Sequence, residues 1–143
     1  MIVALSVIHI AIAAAWFGHK LLLPGEIRRS VGGEPNEARL LVDRLKHAER
    51  LGIVTGLGTV VSGGLLLWAV GVETVGPGVW VGLGLALCAM VLGATIARPA
   101  SQRLAKSVAN GDRVGATIAG TQISRTLGME SLLWMGALVS MVI

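Results

Sequence analysis

The chain has no tyrosine, one phenylalanine and one cysteine, and only 14% of its 143 residues are charged. With so few aromatic rings there is no platform on which a single-stranded nucleic acid could stack its bases. A single cysteine excludes a disulfide scaffold and any cysteine-rich zinc or iron–sulfur centre. The low charge also excludes disorder, which needs a polar, highly charged chain. No phosphate loop, nucleophile triad or nucleotide fingerprint stands in a suitable context.

What is present is apolar. Hydrophobic residues make up 54% of the chain, with 20 glycines besides. A mean hydropathy of +0.77 is more than a water-soluble domain carries without large exposed patches. The length suits one domain, residues 1–143. Four apolar stretches, at about 1–23, 51–70, 79–97 and 127–143, approach the roughly 20 helical residues that cross a bilayer. They lack the alternation of barrel strands, so the expected fold is all-α, a four-transmembrane-helix bundle.

The basic residues predict its orientation. Lys20, at the end of the first stretch, and Arg28, Arg29, Arg39, Arg44, Lys46 and Arg50 lie between the first and second; Arg98, Arg103, Lys106, Arg113 and Arg125 follow the third. These two sets contain every Lys and Arg in the chain. Both long connections are therefore expected in the cytoplasm, with both termini outside. The pI of about 10.2 reflects this asymmetry and does not call for a nucleic-acid partner. The opening MIVALSVIHI has no basic n-region, which points to an uncleaved first helix in a prokaryotic plasma (inner) membrane.

Pro35-Asn36-Glu37 and Asn110-Gly111-Asp112 read as helix starts, so helices two to four should extend beyond the membrane. The expected helices are about 1–23, 36–70, 79–109 and 113–143. Pro24 and Arg28 correspond to Pro99 and Arg103, and Asn36 and Asp112 each stand 15 residues before a Leu-Gly pair. This spacing is that of either a two-hairpin internal repeat or two basic loops of similar length. Glycines such as Gly52, Gly56, Gly63 and Gly82 give helices two and three small faces for packing, within a protomer, between protomers or in a larger membrane complex.

Polar and aromatic groups within the membrane mark candidate chemistry. Trp68 and Trp80 flank the outer loop and read as an interfacial belt. Trp16 and Trp134 lie deeper, roughly 11 Å from the inner boundary by helix rise. His9 precedes Trp16 by seven residues, and Met141 follows Trp134 by seven, on helices of opposite direction. His9 can then oppose Met141, a plausible pair of axial haem ligands flanked by the two indoles. The alternative is a His9 hydrogen-bonded to a carbonyl or a Ser/Thr hydroxyl in a polar seam between helices. His19 and His47, near the inner boundary, are a second candidate metal or haem pair, or else interfacial polar groups near Asp43 and Glu49. Glu130 reads as an ion-pair or proton-relay residue, with Arg125, Arg98 and Lys20 as possible partners. Cys88 reads as an inert small hydrophobe.

The run His9-Ile10, Trp16-Phe17, Pro24 resembles the first helix of HemJ-type protoporphyrinogen oxidases and, more loosely, of copper-resistance D-type membrane proteins. The resemblance covers about 25 residues; the rest agrees in helix count and loop basicity. It implies haem b, His9 as an axial ligand with Trp16 beside it, and an oxidoreductase. Where HemJ-type proteins carry a second histidine on helix three, this chain has Cys88 and Met90, and helix four opens LGMESLLW in place of their Asn-Glu-x-Pro stretch. The leading expectation is a haem b electron-transfer protein with a quinone or porphyrin partner. A cofactor-free accessory subunit and a small transporter are the other two readings.

Overall fold

The computed structural model describes residues 1–142, in which every regular element is helical. α1 (Ile2–Leu21) and α2 (Leu23–Val31) form the first arm, and α3 (Pro35–Val70) returns along it. A short turn at Val72–Thr74 leads into α4 (Pro77–Leu92), a wide π-helical turn (Gly93–Ala97) and α5 (Arg98–Ala109). α6 (Arg113–Val142) then runs back; the Ile143 end expected for the fourth helix lies outside the described residues.

Among the described residues, three stretches, Ile2–Val31, Asn36–Val70 and Pro77–Ala109, are long and apolar enough to cross a membrane. α6 is of similar length. The first arm does not stop near residue 23. Pro24 has no N–H to give Lys20, so the helix breaks at Leu22, but proline suits the opening turn of a new helix and α2 follows at once. Pro99 has a milder effect on the second arm. Its ring would crowd the carbonyl four residues back, and the turn ahead of it widens into the π-helical segment without breaking the rod.

Helix ends follow local chemistry. Gly111, at φ +70°, takes the left-handed backbone that closes α5, and Asp112 caps α6 by accepting the Gly115 N–H at 2.9 Å. α1 packs antiparallel on α3, and α4 antiparallel on α6.

The two ends of the bundle differ in what they bury. At the basic end, apolar residues four apart on α2 (Leu23, Ile27), α3 (Leu41, Leu45), α5 (Ala100, Leu104) and α6 (Ala119, Ile123, Leu127) form one core. Their charged neighbours point outward; every Lys and Arg except Lys20 is exposed. That is the pattern of a bundle standing in water. Toward the other end the outward faces are themselves apolar, as at Val7, Ile10, Val61, Val91 and Leu132. The contacts between helices there use small residues, as expected where lipid is as apolar as the core.

Candidate functional site

The seam between α1 and α3 is built from rings on one helix and glycines on the other. His9, Trp16 and His19 on α1 face Gly63, Gly56 and Gly52 on α3. A Cβ on Gly56 would stand 3.2 Å from the Trp16 ring, and one on Gly63 would stand 3.1 Å from His9 Cε1. The glycines therefore let each ring approach the facing backbone closely.

His9 occupies the polar seam. Its Nδ1 is 2.9 Å from Ser62 Oγ, and that hydroxyl lies 2.7 Å from the Gly58 carbonyl of its own helix. The hydroxyl thus bridges the imidazole and the backbone of α3. Met141 lies against Gly82 on α4, while His9 lies against α3, so the two face different neighbours. Trp16 and Trp134 do meet: both are buried, with ring centroids 4.6 Å apart and planes at 89°. Edge-to-face contact of this kind suits two indoles held by a tight packing layer.

Below the indoles, toward the basic end, a cavity of about 260 Å³ opens between α1, α3, the π-helical turn and α6. Its wall is mostly apolar, and its polar groups come from few residues: His19, Lys20, Glu130, Glu49, Arg98 and Ser101. Glu130 is 1% exposed and forms an ion pair with Lys20, whose ammonium also lies 5.5 Å from the Trp16 ring centroid. The partner of Glu130 is thus Lys20, not Arg125 or Arg98. Arg98 turns to Glu49 at 2.9 Å, and Arg125 is exposed. The second Glu130 oxygen, Oε1, has no hydrogen-bond partner among the described residues. It faces Gly93, where a Cβ would stand 3.0 Å away, so the glycine in the π-helical turn leaves room for the carboxylate. Wide turns of this type recur at functional sites.

His19 is the second unpartnered group of the cavity. Its Nδ1 is 3.0 Å from the Ala15 carbonyl, which can only accept, so this nitrogen carries the proton. Nε2 is buried and unpartnered among the described residues. His47 does not line the cavity; it is exposed, with Nδ1 2.8 Å from the Asp43 carbonyl. Among the described residues, no three His, Cys, Asp or Glu side chains gather as a metal site. Cys88 lies on the outer, exposed face of α4, and Trp68 and Trp80 are exposed at the far end.

The Lys20–Glu130 pair and the free nitrogen of His19 were not singled out from sequence as one cavity. One signal for this register is present: rings at 9, 16 and 19 run at spacings of seven and three, and glycines at 63, 56 and 52 run back at seven and four. Compared with protein-family models, curated proteins and solved structures, the chain matches none.

Proposed function

We propose that this chain is an integral membrane redox protein that binds a planar, uncharged amphiphile of the quinone type in the cavity beside Trp16. The observation that carries this reading is an apolar-walled cavity beside Trp16 lined by a few convergent polar residues, among them His19 and Glu130, each with one buried polar atom that has no partner among the described residues. A concave, mostly apolar site with a few convergent polar groups is what small-ligand sites look like. All four long helices cross the membrane in this proposal, with the basic end in the cytoplasm of a prokaryotic cell and both termini outside. The arms α1–α2 and α4–α5 run parallel, each interrupted just ahead of a proline and each with an antiparallel partner, which supports a two-hairpin repeat.

Haem b, which the first-helix resemblance implies, needs an imidazole nitrogen with a lone pair and a partner fixing the other nitrogen. His9 is the residue the resemblance assigns, and it meets that requirement when its Nδ1–H donates to Ser62. When bound, haem would supply one-electron transfer; the chain's own part is to orient the His9 ring and to exclude water through the Trp16–Trp134 layer.

The test is the small-molecule content of the protein purified in mild detergent. An organic extract should contain a planar redox amphiphile in near-stoichiometric amount, and Ala97→Phe, which fills the cavity wall, should deplete it. Extracts that match empty detergent micelles would favour a cofactor-free accessory subunit.

A further inference from the structure

Resting on the cavity-binding reading above, we infer that the cavity recognises the hydrogen-bond-donating, reduced form of its ligand: a hydroquinone in preference to the corresponding quinone.

The argument starts from which polar atoms are already satisfied. The cavity is lined by two cations, and both are engaged, Lys20 with Glu130 and Arg98 with Glu49. Each cation is matched by a carboxylate, so the paired charges cancel. A ligand bearing carboxylates, such as a fatty acid or a porphyrin with acidic side chains, would find no unpaired cation and would meet two carboxylates. A flat neutral ring system suits the apolar wall and the indole of Trp16 better.

The two buried atoms without partners on the cavity's residues, His19 Nε2 and Glu130 Oε1, are both acceptors, beside the donors Ser101, Lys20 and Trp16. His19 donates from Nδ1 to the Ala15 carbonyl, so its neutral ring presents Nε2 as an acceptor. Glu130, as the carboxylate partner of Lys20, presents Oε1 as an acceptor. Glu130 is 1% exposed, so its free oxygen is held within the packed bundle. A ligand that brings donors would satisfy acceptors of this kind, and one without donors would not.

A hydroquinone brings two O–H groups on an apolar ring, and its oxygens can in turn accept from the Lys20 ammonium. The quinone of the same shape brings two carbonyl oxygens and no proton, which leaves both acceptors unpaired. Sites built around a hydrogen bond discriminate strongly against an analogue lacking it, because the site's own group is then stranded. Here the difference between the two ligands is two protons and two electrons, with the ring skeleton unchanged.

The experiment is anaerobic titration calorimetry of the full-length protein in detergent with menadiol and with menadione. Menadiol should bind at least tenfold more tightly. His19→Phe keeps a flat ring in the seam but removes the acceptor; it should lower menadiol affinity about tenfold and change menadione affinity less than threefold. Glu130→Gln replaces one acceptor with a group that also donates, and should raise menadione affinity relative to menadiol. Equal binding of the two probes, or tighter menadione, overturns the donor preference while leaving the cavity reading in place. So does a His19→Phe protein that keeps the full preference. If neither probe binds, both the preference and the cavity reading fail.

Discussion

Removing Lys20 while leaving Glu130 in place is the sharpest perturbation of the packing between α1 and α6. Lys20→Met keeps the length and the apolar stem of the side chain but deletes the ammonium. Glu130 is 1% exposed, and Lys20 supplies its hydrogen bond, so the variant strands a carboxylate whose other oxygen is already unpartnered. Breaking a buried ion pair from one side costs about 3–5 kcal/mol. At about 3 °C per kcal/mol for a chain of this size, the unfolding midpoint in detergent should fall by about 9–15 °C. The double variant Lys20→Met with Glu130→Met removes both charges and leaves two apolar side chains of similar volume. Its midpoint should return to within about 3 °C of the wild type, since paired apolar replacement of a buried ion pair is near neutral. Differential scanning fluorimetry of the three proteins is sufficient. A single variant as stable as the wild type, or a double variant no better than the single one, would refute the role assigned to this pair.

Other outcomes follow from the seam and the charges. Gly56→Val should crowd the Trp16 ring, already 3.2 Å from the position of a Cβ, and cost about 1–3 kcal/mol in the same melt. Gly64→Ala, which meets nothing within 4 Å, should be neutral or slightly stabilising. In a Cys88→Ala background, a cysteine at position 33 or 111 should be labelled only from the cytoplasmic side; labelling from outside alone would reverse the proposed topology. If haem b is bound at His9, His9→Ala should remove the haem absorbance, and Met141→Leu, at a residue that lies against α4, should leave the spectrum unchanged. In that case His47→Ala should change nothing, and a spectrum lost in His47→Ala would move the site to the inner boundary.

The helical character and the position of the second and third long helices were readable directly from the apolar runs and the segregated Lys and Arg. The cap at Asp112 was equally plain, because Asn-Gly-Asp ahead of an apolar-periodic run leaves the backbone few options. The break at Leu22 was harder to read. Pro24 signals a stop, but it serves equally as the first turn of a new helix, and the choice rests on Leu23 and Ile27 finding the core of α3, α5 and α6. The π-helical turn is a response to Pro99 in an arm held on both sides, which no local pattern distinguishes from a kink. Of the candidate residues, the Trp16–Trp134 contact follows from depth along two antiparallel helices. Depth alone does not say which way a ring turns: His9 shares a level with Met141 yet lies against Ser62 and Gly63. The partner of Glu130 was one of three nearby cations, and only the packing of α1 against α6 selects Lys20 over Arg98.

The central claim is that the bundle holds a planar redox group. Its most direct test is the absorption spectrum, from 250 to about 700 nm, of the protein purified from membranes in mild detergent, recorded oxidised and then reduced with dithionite. The account predicts an absorbance beyond that of the four tryptophans which changes on reduction: a Soret band for haem, or near-ultraviolet bands of a quinone converting to its quinol. A spectrum that shows tryptophan alone and is unchanged by dithionite would contradict it.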